Sequence, residues 1–323
     1  MGDGPVDFLG IDISKGDFHA HLLQGNRSAK KVFPNSLVGY KQLGKWLDNR
    51  KSSELHACME ATGAYWLGTA MFLHSHYGMV SVVNPTCIKM FARSKLRRTK
   101  TDSVDAEIIA EYCSTQNPRV WVPPAKESLE IRALLTYRDE LVAEKLRIKQ
   151  ISTSVHEAGV FQATATQHRE KLEEFIENVE QQLRVLIQST PELSIAAKNL
   201  QTIPGIGWLT AASLLARLPM DRLANSKAAA AHAGLAPRER QSGTSVHGRA
   251  RICKTGDAHL RKALYMPALA VLRGSSPLGQ FAARLSAAGK TGKVVVVAVM
   301  RKLVTIAYAI LKSGKPYSVP AVS

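Results

Sequence analysis

Residues 6–14 read V-D-F-L-G-I-D-I-S, and this run decides the fold. Its apolar residues are nearly continuous, as in a buried strand. Asp12 interrupts them between Ile11 and Ile13. A carboxylate in such a place is costly unless it is paired or binds a metal. Outward from this strand, residues 17–23 alternate and pair with it as a hairpin, and residues 29–33 supply a third strand. Residues 36–50 have helical periodicity, with Leu37, Tyr40, Leu43, Trp46 and Leu47 on one face. Residues 54–60 read as a strand, 63–77 as a helix, and 79–83 as a strand ended by Asn84-Pro85. A helix over 102–116 has Val104, Ile108, Ile109 and Tyr112 as its stripe. Three strands followed by strand, helix, strand and helix predict an α/β domain with a mixed sheet over 1–117.

Residues 118–124 begin and end in proline and read as a linker. Beyond it the pattern is helical. Leu134, Tyr137, Leu141, Glu144, Ile148, Ile151 and Val155 recur at spacings of three and four, a heptad seam broken once by Glu144. Leu172, Phe175, Val179, Leu183 and Leu186 form a second seam. The segment 118–190 is expected to be a linker and a coiled-coil arm, either an antiparallel pair or a dimerising surface. Two ordinary amphipathic helices on a core are the plainer alternative. Residues 191–323 are expected to form a basic, mainly α-helical domain.

Charge separates these parts. The chain carries a formal net charge of +17, and residues 191–323 hold 19 Lys/Arg against 4 Asp/Glu. The arm is near neutral, which suits protein contact. The one-sided excess is the footprint of a polyanion partner. Aromatic residues make up 6%, which argues against a protein devoted to stacking single-stranded bases. Cys58, Cys87, Cys113 and Cys253 lie too far apart for a zinc motif and are too few for a disulfide scaffold. No signal peptide opens the chain, and the apolar run 294–300 is too short to span a bilayer. The expectation is a cytoplasmic bacterial protein with no membrane partner.

Four constellations carry chemistry. The first is acidic: Asp12 on a strand, Glu60 ending a second strand, and Asp102 and Asp105 three apart on one helix face. Brought together, these groups repel and their pKa values rise unless cations enter. Four carboxylates balance two Mg²⁺ ions, which favour hard oxygen ligands. A metal pair can clamp the attacking and leaving oxygens of a phosphoryl transfer. This order of acids is the ribonuclease H-like, RuvC-like pattern. Each alone has an ordinary alternative, such as Asp102 capping its helix. The second is a basic loop with Arg93, Lys95, Arg97, Arg98 and Lys100, fit to hold phosphates or simply solvated. The third is Pro204-Gly205-Ile206-Gly207 before a helix. Gly205 and Gly207 could let a phosphate approach free N–H groups, or could form a plain helix–helix turn. The fourth, residues 242–251, reads S-G-T-S-V-H-G-R-A-R, with Arg249 and Arg251 followed by Lys254, Arg261 and Lys262. Such a loop could hold a phosphodiester against a serine hydroxyl, although most Ser-Gly pairs are only turns.

The chain also resembles a known family. G-I-D-I-S-K at 10–15, M-E-A-T-G-A-Y at 59–65, V-N-P at 83–85 and K-T-D-S-V-D-A at 100–106 look like the amino-terminal domain of DEDD-type insertion-sequence transposases. I-P-G-I-G at 203–207, A-G-L-A-P-R at 233–238, S-G-T-S-V-H-G at 242–248 and L-R-K-A-L-Y-M-P-A at 260–268 look like their carboxy-terminal domain. This is the IS-one-ten family of bridge-RNA-guided recombinases, and the likeness runs from about Gly10 to Gly314. It implies that Asp12, Glu60, Asp102 and Asp105 are RuvC-like Mg²⁺ ligands. It implies that Ser242, directly before the first glycine of its loop, is the nucleophile that forms a phosphoserine link to DNA. It further implies a composite site shared between protomers, a tetramer built from dimers through the arm, and a structured noncoding guide RNA beside donor and target DNA. Two other functions fit the residues alone: a metal nuclease that resolves branched DNA by hydrolysis, and a non-catalytic nucleic-acid-binding protein. The latter leaves Asp12 unexplained.

Overall fold

The structure, a computed structural model, describes residues 6–52, 54–61, 63, 65–95, 102–155, 159–242 and 246–318, and side chains at all of these but 103, 238–242 and 246–251. The chain divides into two compact units, Met1–Pro123 and Pro124–Ser323.

The first unit is built on β1 (Asp7–Ile13), β2 (Asp17–Gln24), β3 (Arg27–Pro34), α1 (Leu37–Asp48), β4 (Leu55–Glu60), α2 (Trp66–Tyr77), β5 (Met79–Val83), α3 (Pro85–Ser94) and α4 (Asp102–Gln116). The sheet order is β3-β2-β1-β4-β5. The first three strands are antiparallel, while β4 and β5 run parallel to β1. This is the mixed sheet the sequence predicts, and it accords with a ribonuclease H-like domain. Alternation sends Leu9, Ile11, Ala57 and Met59 to one face, where they pack with Leu43, Leu47, Ala70 and Leu73 of α1 and α2. The opposite face carries Phe8 and Cys58, which pack with Ile88 of α3 and Ile108 and Ile109 of α4.

Two sequence readings need correction here. Helix α3 was not anticipated. Asn84 caps it by accepting from the Thr86 N–H, and Pro85 occupies its first turn, so Asn84-Pro85 starts a helix as well as ending a strand. The stretch 118–124 is not a free linker throughout. Trp121 is buried and donates its backbone N–H to the Val80 carbonyl at 2.6 Å, which ties the segment to the β5 edge.

The second unit comprises α5 (Lys126–Ser154), α6 (Gly159–Ser189), α7 (Pro191–Gln201), α8 (Trp208–Arg217), α9 (Ser226–His232), β6 (Pro237–Ser242), β7 (Val246–Ile252), α10 (Ala258–Leu272), α11 (Pro277–Ala287) and α12 (Gly292–Ser313). Helices α5 and α6 lie antiparallel, joined by Arg138–Glu180 at 2.7 Å and by Lys145–Glu173. Their buried stripe is Ile131, Leu135, Leu141, Leu172, Val179, Leu183 and Ile187, shared with Ala212 and Ala216 of α8. Tyr137, Ile151 and Phe175, placed on the seams by spacing, are about half exposed. The seam residues Leu134, Leu141, Ile148, Leu172, Val179, Leu183 and Leu186 all belong to the α5–α6 core.

The remaining helices enclose a second core around Leu260, Leu264, Val299, Leu303 and Ala307. Helix α12 is the one described helix long and apolar enough to cross a membrane, and half of its apolar stretch is buried in this bundle. The antiparallel hairpin β6–β7 was read as a loop from its Ser, Gly and Arg content.

Candidate active site

Asp12 lies near the end of β1 on the face that carries α4. The antiparallel register sets it opposite His19 of β2. On the other side, the parallel ladder ends at Ile11–Met59, so the next residues along, Asp12 and Glu60, come level at the carboxy-terminal edge of the sheet. Helix α4 crosses this face with Asp102 and Asp105 in its first turn.

Gly10 lets the helix come close. A Cβ at Gly10 would stand 2.1 Å from the Ala106 carbonyl oxygen and 2.3 Å from the Ala110 nitrogen. Only hydrogen there allows α4 to rest directly on β1. One turn along, its acids then meet Asp12. Carboxylate oxygens of Asp12, Asp102 and Asp105 all lie within 4.8 Å of one another. Glu60 stands outside this tight trio but close enough to act on Asp12.

The electrostatics follow from the crowding. Burial pushes the Asp12 carboxyl up from its ordinary 3.8 to about 6, and repulsion from Asp105, Glu60 and Asp102 adds to the rise, while His19 opposes it. His19 Nε2 stands 3.8 Å from Asp102 Oδ2. Spacing along the chain did not single out His19; it becomes visible only once the β1–β2 register is known. The donor set is hard oxygen throughout the trio, and the raised Asp12 value reports burial first and the repulsion of its acidic neighbours second. Both fit a divalent cation.

The proposed phosphate contacts fall into several groups. Arg93 is in the last turn of α3 and Lys95 caps it, so neither lies in a loop. Lys95 is 3.5 Å from Glu111 and covers the Phe91 ring at 5.5 Å. Arg97, Arg98 and Lys100 lie outside the described residues. Gly205 has φ +84, and a Cβ there would meet Val271 Cγ2 at 2.7 Å and the Pro267 carbonyl oxygen at 2.8 Å, so glycine is required for the turn to pack on α10. Gly207 precedes α8 with open space beside it. Ser242 ends β6, while Arg249 and Arg251 lie on β7; their side chains are outside the description, and so is Ser245. Lys254 is exposed. Arg261 donates to the Ala233 and Gly256 carbonyls at 3.1 and 3.3 Å, clamping the base of the hairpin. Lys262 pairs with Asp139 at 2.8 Å.

Two sequence-family models match the chain. One, described as a DEDD-type transposase, covers residues 9–157, and the other, described as transposase of the IS116/IS110/IS902 family, covers residues 197–283. A protein named pilin gene-inverting protein, from Moraxella lacunata, is 37% identical over 96% of this chain and 97% of its own length. Its namesake from Moraxella bovis is 36% identical over the same shares. A transposase for the insertion sequence element IS1328 from Yersinia enterocolitica is 26% identical over 97% of this chain and 99% of its own. Joined to a mixed-sheet domain with converging aspartates and to a basic helical unit, these matches show that the chain belongs to the IS116/IS110/IS902 family of transposases.

Proposed function

We propose that the chain cleaves and rejoins DNA strands through a phosphoserine link on Ser242, assisted by Mg²⁺ held by Asp12, Glu60, Asp102 and Asp105. The observation that carries this reading is the convergence of Asp12, Asp102 and Asp105 on one face of the sheet, with Asp12 pushed up to about 6. Mg²⁺ bound there supplies charge stabilisation at a transferring phosphoryl group. Asp12 and Glu60 are held by strands and Asp102 and Asp105 by a helix, so the ligands sit on rigid elements. His19 stands at the edge of the group, 3.8 Å from Asp102.

In the proposed step the Ser242 hydroxyl oxygen attacks phosphorus. One P–O bond to serine forms as one backbone P–O bond breaks, and the leaving sugar oxygen takes up the proton that serine loses. Bond energy is conserved, so rejoining needs no ATP. Arg249 and Arg251, on the strand paired with β6, would neutralise charge on the phosphate. A structured noncoding RNA that pairs with donor and target DNA guides the reaction. The carboxylates and the serine come from different protomers of a tetramer, joined through α5 and α6. The two Moraxella relatives are named for inverting a gene, and this supports a reaction that rejoins both ends of a segment.

The test is incubation with Mg²⁺, the element's RNA and labelled target DNA, followed by a denaturing gel. A covalent protein–DNA adduct is expected. Ser242→Ala should abolish it with DNA binding retained. Cleavage that persists in Ser242→Ala without any adduct would instead favour hydrolysis by the carboxylates alone.

A further inference from the structure

We infer that a cleft between the root of the β6–β7 hairpin and helices α11 and α12 binds an unpaired stretch of DNA strand, its base on an apolar floor and its phosphates on a cationic rim. The identity of the strand rests on the function proposed above.

The cleft has a volume of about 920 Å³. Its rim is Lys254, Lys293, Arg301 and Lys302, and no carboxylate is among its described lining residues. Among the described residues, Lys254, Lys293 and Arg301 have no carboxylate within ion-pair distance, unlike Lys262, which is matched by Asp139. Four cations around one recess, with no carboxylate among its described lining residues, favour a polyanion. Lys254 adds a backbone at φ +55, held by its N–H donating to the Gly234 carbonyl at 3.2 Å. Such a conformation is uncommon for lysine and marks sites where position matters.

The floor is of the opposite character. Leu235 and Ile252 line it from the hairpin side, and Phe281, Val294 and Val297 from the helices. Lys302 Nζ sits 5.5 Å from the centre of the Phe281 ring. One face of the ring is thus taken by a cation, and the base would rest on the aliphatic side chains beside it. A phosphate alone gains nothing from such a floor. A duplex keeps its bases stacked inside and could use only the rim. An unpaired nucleotide uses both. The volume lies near the top of the roughly 300–1,000 Å³ range of ordinary ligand sites, which suits one or two nucleotides. One recess of that size also agrees with the low aromatic content, which excludes a long stacking ladder.

Position ties the cleft to strand transfer. Pro237 and Ile252, the first residue of β6 and the last of β7, line it, and Ser242 ends β6 at the other end of the hairpin. Five strand steps of about 3.3 Å make roughly 17 Å, or about five phosphate steps of a B-form strand. A strand laid along the hairpin from Ser242 therefore reaches the cleft. Opening the duplex beside the cleavage point and parking a base there would hold the strand in place for transfer.

The experiment uses the full chain in EDTA, with fluorescein-labelled single-stranded DNA, the matching duplex and an RNA strand of the same sequence, read by fluorescence anisotropy over a salt series. Val294 is 51% exposed, so Val294→Trp fills the cleft without entering the core. It keeps every cation and, by blocking the recess, should weaken single-strand binding about tenfold while duplex binding holds. Lys293→Ala with Arg301→Ala should lower the single-strand log–log salt slope by about 1.4, two contacts at about 0.7 each. Crosslinking of a 5-iododeoxyuridine strand should map to α12. Parental single-strand binding in Val294→Trp, or tighter binding of the RNA strand with loss of that binding in the variant, would overturn the assignment. Binding in EDTA does not depend on the metal chemistry, and Asp12→Ala and Ser242→Ala should keep it. If those two variants also retained strand transfer, the proposed function would fail separately from the cleft.

Discussion

Asp12 is costly in the fold, and the proposed function gives that cost a use. Its carboxyl has an ordinary pKa of 3.8 and a folded value of about 6. Between these values the folded chain holds a proton that the unfolded chain has released. Stability from this group is therefore greatest below about pH 4, falls as pH rises through 6, and stays low above it. At about 1.36 kcal/mol per tenfold in proton affinity the ceiling is near 3 kcal/mol, and partial solvent access reduces it to roughly 1–2 kcal/mol. Asp12→Asn removes the charge and keeps the shape. In EDTA at pH 7.5 the variant should be more stable than the parent by that amount in urea denaturation, and the gain should vanish by pH 4. Adding Mg²⁺ should raise the parent's melting temperature and leave the variant's unchanged. A variant less stable than the parent in EDTA would show that Asp12 makes contacts worth more than its repulsion.

Helix α4 reaches the sheet only because β1 has glycine at position 10. Gly10→Ala must push α4 outward, since the new methyl meets backbone atoms that cannot rotate away. The cost should be roughly 1–3 kcal/mol in denaturation. Activity should fall further, on the order of 100-fold, because Asp102 and Asp105 ride on the displaced helix. Equal losses in Ala106→Gly, which keeps the helix in place, would point to general fragility instead. This element shows what the sequence could disclose. The five strands, α1, α2 and α4 were legible because periods of 2.0 and 3.6 persist over several turns, and because Asp12 stands out against apolar neighbours. Gly10 was quoted within a motif, but its role was hidden, since close approach depends on what crosses the strand. His19 was hidden for a similar reason: strand pairing sets it beside Asp12. Helix α3 was obscured by Asn84-Pro85, which serves as both a turn signal and a helix start. The α5 and α6 seams were legible at Leu134, Leu141, Ile148, Leu172, Val179, Leu183 and Leu186, which all pack in one core, whereas the share that α8 takes of that core was not. The β6–β7 hairpin has few apolar residues in its strands, so it left no alternation to read.

At the scale of the molecule, the acids are nearly absent from the last part of the chain, while the cations run through all of it. The trio of aspartates is in the first unit, and the last 133 residues hold 19 of the 43 Lys/Arg but only 4 of the 26 Asp/Glu. The carboxy-terminal cations thus have few acids beside them in the chain, which favours a polyanion there. In the function proposed above, one reaction centre draws its carboxylates and its serine from different parts of the sequence. If the serine and the carboxylates come from different protomers, damage to each can be repaired in trans. Asp12→Ala and Ser242→Ala chains should each be inactive alone. Mixed and allowed to exchange subunits, they should recover part of the parent's strand transfer, because some centres pair the intact Asp12 of one chain with the intact Ser242 of another. Gel assays of the mixture against each variant alone would show this, with a chain carrying both substitutions as the control that cannot complement. Mixtures as inactive as their components, under conditions where subunit exchange is demonstrated, would place both groups of each centre on a single chain.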